Sequence, residues 1–192
     1  GYAIRHINRR DIILIDVVEE ETKAAVKKLV NDGYQIKGIL ITCDGILEDA
    51  YADLKTISED ANGAPIYAHP RNNFKDDFKT KDITTQANDL KHFAIKVIDL
   101  PGNGGASVLV YSEINDGMVF PGDDAVGSNY DSDLNTFKRP EMKRENDDFG
   151  LAESWNAFAE EFTYFFPRKG KPAFNIDEGQ QIDILNGLSR TK

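Results

Sequence analysis

Continuous apolar runs alternate with stretches of helical spacing through the first third of the chain. Tyr2–Arg5 and Ile12–Ile15 read as two strands joined by the polar turn Asn8-Arg9-Arg10-Asp11. The second run is unbroken, as in a strand buried on both faces. Glu19–Asn31 predicts a helix with Ala24, Ala25, Leu29 and Val30 as its apolar positions, acids at its start and lysines towards its end. Gly33 is its stop signal. Lys37–Thr42 is another buried strand, followed by the loop Cys43-Asp44-Gly45. A helix over Leu47–Glu59 turns Ala50, Leu54 and Ile57 inward, Asn62-Gly63 breaks it, and Pro65–Ala68 reads as a strand. Strand–helix–strand–helix–strand order predicts α/β layering.

The pattern changes beyond this point. Arg71–Leu90 is polar and weakly patterned, whereas Phe93–Leu100, Ser107–Ser112 and Met118–Phe120 read as strands. The last two are joined by the hairpin signal Asn115-Asp116-Gly117. Gly127–Phe149 is rich in Asp, Asn, Lys and Arg and predicts a long surface loop or lid. Leu151–Phe162 predicts an amphipathic helix presenting Trp155, Phe158 and Phe162, which with Tyr164–Phe166 are expected in the core. One more helical stretch lies around Ile182–Leu188. No repeat or linker interrupts the chain, so a single domain over residues 1–192 is expected.

Composition narrows the partners. The 192 residues are 40% hydrophobic, enough for a core, and carry a formal net charge of -10. That acidity disfavours nucleic acid and anionic membrane surfaces as partners. The single cysteine, Cys43, excludes an internal disulfide and any multi-cysteine zinc site. No apolar run approaches the roughly 18 residues that span a bilayer. His6 and His92 have no partners at metal-ligand spacing, and His69, after the strand Pro65–Ala68, reads as structural. A cytoplasmic location is expected, with an upstream segment preceding Gly1.

Three segments, in order, resemble the metallo-β-lactamase superfamily. The strand Ile39-Leu40-Ile41-Thr42 leads into Cys43-Asp44-Gly45-Ile46-Leu47-Glu48, where that family reads His-x-His-x-Asp-His after a threonine-ended strand. Cys43, Gly45, Leu47 and Glu48 stand at the four ligand positions. Leu100-Pro101-Gly102-Asn103-Gly104-Gly105-Ala106-Ser107-Val108 is similar to the family's Pro-Gly-His-Thr-x-Gly-Ser-Val, with Asn103 at the histidine. Gly117-Met118-Val119-Phe120-Pro121-Gly122-Asp123 resembles the strand ending in Gly-Asp, and Asp123 is the one ligand position kept. More weakly, Phe166-Pro167-Arg168-Lys169-Gly170 resembles Pro-Gly-His-Gly, with Lys169 at the last histidine.

The resemblance spans Tyr2 to Pro172, with part of the family's first strand unit expected before Gly1. It implies a four-layer αβ/βα sandwich of two mixed sheets with the site at one edge. Catalytic zinc needs about three protein donors and an open position for water. Gly45 and Leu47 have no donor atom, the Asn103 amide is a poor zinc ligand, and a protonated Lys169 repels a cation. The resemblance therefore implies a metallohydrolase scaffold without zinc hydrolysis: a non-catalytic or ligand-binding homologue needing no cofactor, in which Lys169 and Asn103 receive a small anion. Two alternatives stand beside it. One is an active ester, thioester or phosphoester hydrolase with a single Mg²⁺ or Ca²⁺ around Asp123 and Glu48, or with Cys43 as thiolate. The other is an interaction module, including a homo-oligomer, using Gly127–Phe149 or the Trp155 helix. The plain reading of Asp44 and Glu48 is helix capping and first-turn acidity, that of Cys43 a small core residue, and that of Asp16 hydrogen bonding to loop backbone.

Overall fold

Every residue of strand β2 (Asp11–Ile15) is buried, the condition its unbroken apolar run sets. It belongs to a computed structural model that describes residues 1–43, 47–72, 79–100, 105–131, 136–142 and 145–190, and only the main chain of 47–52, 88, 89 and 145. The chain divides into two units, Gly1–Phe93 and Ala94–Lys192.

The first unit is built on a five-stranded sheet in the order β1 (Tyr2–Arg5), β2, β3 (Gln35–Leu40), β4 (Ile66–Ala68) and β5 (Lys81–Asp82). β1 is antiparallel to β2; the remaining pairs are parallel. A 3₁₀ turn at Glu20–Thr22 opens α1 (Lys23–Asn31), and α2 (Leu47–Asp60) follows β3. Their apolar side chains close over one sheet face: Val26, Leu54 and Ile57 cluster with Ile12, Leu14, Ile39, Ile41 and Ile66. Ala24 and Ala25 are exposed, contrary to the sequence expectation. Its packed stripe runs through Val26, which is buried, and Leu29 and Val30, which are partly buried. Asn62 and Gly63, with φ of 58° and 75°, end α2 as anticipated. The weakly patterned middle holds β5 and α3 (Ile83–Gln86), whose first turn is capped by Asp82.

The second unit carries β6 (Ile95–Asp99), β7 (Val108–Ser112), β8 (Met118–Phe120), β9 (Val126–Gly127), β10 (Phe137–Lys138), α4 (Glu145–Asn156), β11 (Tyr164–Phe165), β12 (Ala173–Phe174) and α5 (Glu178–Ser189). Its main sheet has the order β12-β11-β8-β7-β6, and β9 pairs with β10 apart from it. The sheet is mixed: β11 runs parallel to β8, and the other pairs are antiparallel. The β7–β8 hairpin turns through Asn115, Asp116 and Gly117, with φ of 53°, 62° and 93°. A Cβ on Gly117 would stand 2.2 Å from the Glu161 carbonyl, so glycine is required there.

Two expectations are corrected. Gly127–Phe149 is not one long loop: it contributes strands β9 and β10 and the first turns of α4. Acids at the start of α4 favour a helix N-terminus while hiding the apolar period. The helix also ends at Asn156, before Phe158 and Phe162. Those two aromatics imitate helical spacing but reach the core from a non-helical stretch, joining Trp155, Phe165, Leu151, Ile184 and Leu188. Trp155 is buried, so its side chain offers no contact surface.

Arg139 fixes the end of α5. Its guanidinium donates to both Asp148 oxygens, at 2.9 and 3.0 Å, and to the carbonyls of Leu188 and Arg190. The Arg139 side chain is 7% exposed, and Arg139→Met removes its bonds to Asp148 and to the carbonyls of Leu188 and Arg190. Denaturant unfolding of that variant is expected to show a loss of about 3 kcal/mol; an unchanged midpoint would remove this role.

Candidate functional site

The residues singled out from sequence fall into both units. In the first, the parallel strands end in buried polar side chains. Asp16, 3% exposed and with φ of 51°, follows β2. Its carboxylate accepts from the Thr42 N–H at 2.9 Å and from the Thr42 hydroxyl at 2.7 Å. The threonine that ends the β3 run is thus held by the expected backbone-bonding aspartate. Cys43, next along, is 3% exposed and clusters with Ile41, Leu54 and Ala68. Its burial suits an unreactive core residue.

Asp44 and Asn103 lie outside the described residues, as do Gly45 and the side chains of Leu47 and Glu48. The main chain of Glu48 sits in the first turn of α2, as expected. His69 closes β4, 4% exposed, its Nδ1 accepting from the Arg71 N–H at 3.1 Å. Burial pushes the nearby Asp82 carboxyl up, but hydrogen bonds from Thr84 and Thr85 and the charge of His69 outweigh it and hold that group below its ordinary range. His6 accepts from the Asn8 N–H, and His92 is exposed. Among the described residues, no three His, Cys, Asp or Glu side chains stand close enough together to hold a metal ion.

The second unit brings Asp123 and Lys169 together. The loop after β8 runs beside the segment after β11: the Arg168 N–H donates to Gly122 O at 3.0 Å, and the Gly127 N–H donates to Lys169 O at 2.9 Å. This register sets two cations against one carboxylate. Arg168 Nη1 donates to Asp123 Oδ2 at 2.9 Å, and Lys169 Nζ stands 3.3 Å from Asp123 Oδ1. The Asp123 side chain is 15% exposed, Arg168 19% and Lys169 62%. Sequence reasoning named Asp123 and Lys169 but passed over Arg168. The available signal was the dibasic pair Arg168-Lys169 in a place where the resemblance expects glycine and histidine.

At Asp123, the ligand position that the resemblance keeps, both carboxylate oxygens face side-chain cations, a poor setting for a further cation.

No protein-family model matches the chain, and no curated protein matches it by sequence. Solved structures do. ETHE1 from Myxococcus xanthus superposes with a TM-score of 0.63 at 13% identity, over 98% of this chain and 78% of that one. The DIM-1 metallo-β-lactamase gives 0.57 at 15%, over 97% and 83%. The mono-zinc form of the metallo-β-lactamase FIM-1 from Pseudomonas aeruginosa gives 0.55 at 12%, over 98% and 84%. The fold of this chain is the metallo-β-lactamase fold, an α/β architecture with two mixed sheets. Among the described residues no helix is long and apolar enough to cross a membrane.

The burial of Cys43 is directly measurable. In native protein the thiol is expected to resist a thiol-specific reagent and to react only as fast as the chain unfolds. Rapid stoichiometric labelling of folded protein would count against a core role.

Proposed function

We propose that this protein is a metallo-β-lactamase-fold homologue that has lost zinc-dependent hydrolysis and serves as a binding scaffold for a small anion. The observation that carries the reading is the double engagement of Asp123 by Arg168 and Lys169, at the retained ligand position. Zinc hydrolysis needs an ion with an open coordination position to lower the pKa of bound water. Two cations against the carboxylate disfavour an ion there, and with it the activated water.

Charge argues for the ligand class. Two cations and one carboxylate leave the Arg168–Asp123–Lys169 cluster with one net positive charge in a chain of net charge -10. Lys169, the more exposed cation, has donors to spare for an incoming carboxylate or phosphate. An active hydrolase with a remodelled single-metal site would first have to displace both ion pairs. The cytoplasm is the proposed location, and nucleic acid and membrane lipid are not proposed partners.

Calorimetric titration with zinc, alongside ester, thioester and phosphoester hydrolysis assays, tests the reading. The expected result is no stoichiometric zinc uptake and no metal-dependent turnover. Tight binding of two ions per chain, or turnover abolished by Asp123→Ala, would overturn it.

A further inference from the structure

A metal ion in such a site does two jobs: it supplies chemistry, and it ties together the chain segments that carry its ligands. The second job is still performed here. The segments 121–128 and 166–171 lie against each other, joined by main-chain hydrogen bonds from Arg168 to Gly122, Gly127 to Lys169, and Lys171 to Ser128, at 3.0, 2.9 and 2.8 Å. Between them sits the Asp123 side chain, 15% exposed, with a cation on each oxygen. A carboxylate so far withdrawn from water is costly without a partner.

We infer that Arg168 and Lys169 are a built-in replacement for the metal bridge, fastening the loop after β8 to the segment after β11 with no ion from solution. The inference rests on the metal-free reading above and adds what has taken the ion's place. The two cations contribute unequally. Arg168, 19% exposed, offers a planar fork that loses little freedom on pairing. Lys169, 62% exposed, is screened by water and adds charge balance more than strength. Arg168 is the clasp, and Lys169 remains available to a ligand.

A double-mutant cycle on the full chain tests this. Unfolding is followed for wild type, Asp123→Asn, Arg168→Gln, their double variant and Lys169→Gln, each with EDTA and with added zinc. Each of the first two single variants is expected to cut the folded-to-unfolded ratio on the order of a hundredfold. The double variant should cost little more than either alone, because the partners are already lost. Lys169→Gln should cost no more than about fivefold. Neither EDTA nor zinc should move the wild-type midpoint. Additive losses in the double variant overturn the clasp while leaving the metal-free reading in place; a midpoint lowered by EDTA overturns both. Should the buried-site variants fail to fold, Lys169→Glu supplies the decision. Its like charge beside Asp123 predicts a loss of stability that added salt relieves, and a loss indifferent to salt overturns the inference.

Discussion

A carboxylate drawn out of water has to be met by positive charge, and what meets it decides what a site can do. At Asp123 the charge comes from the protein itself. The magnitude is enough to govern the chemistry. Two unit charges about 4 Å apart interact by roughly 4 kcal/mol at an effective dielectric of about 20. A divalent ion approaching Asp123 would have to compete with the partly buried Arg168 for the carboxylate, while the largely exposed Lys169 is screened by water. The functional reading follows from this local charge balance, because the fold alone is compatible with many activities.

The framework around that balance does not depend on metal donors. Side chains hold a metal, whereas strands and turns are set by periodicity and main-chain hydrogen bonding. The run Ile39–Thr42 still ends at a threonine gripped by Asp16, and the loop after β8 still lies beside the segment after β11. Identities of 12–15% to the solved structures described therefore coexist with superposition over almost the whole chain. Core positions such as Leu14, Ile39 and Val119 need only be apolar and of suitable size to fill such a core.

Much of the fold was legible in the sequence because that pattern is strong. The unbroken runs at β2 and β3, the Asn-Asp-Gly turn before β8, and Leu54 and Ile57 on α2 each declared their place. Legibility failed where local signals compete. Charged residues masked α4, since a helix start rich in acids reads as a polar loop. Trp155, Phe158 and Phe162 suggested a longer helix because burial, which they share, was mistaken for periodicity. At the site, Asp123 and Lys169 could be aligned by motif, but Arg168 could not. Its role depends on the spatial register of two segments more than forty residues apart, which no local window records.

The meeting of those segments is closest at two glycines. A Cβ on Gly127 would lie 2.4 Å from Lys171 O, and one on Gly170 would lie 2.2 Å from Gly127 O, where φ is already 82°. No side chain fits at either point without parting the backbones. The exposed side chain at 169 can thus be exchanged without parting the two segments, whereas neither of these glycines can, and both positions act as a steric filter on what this site can become.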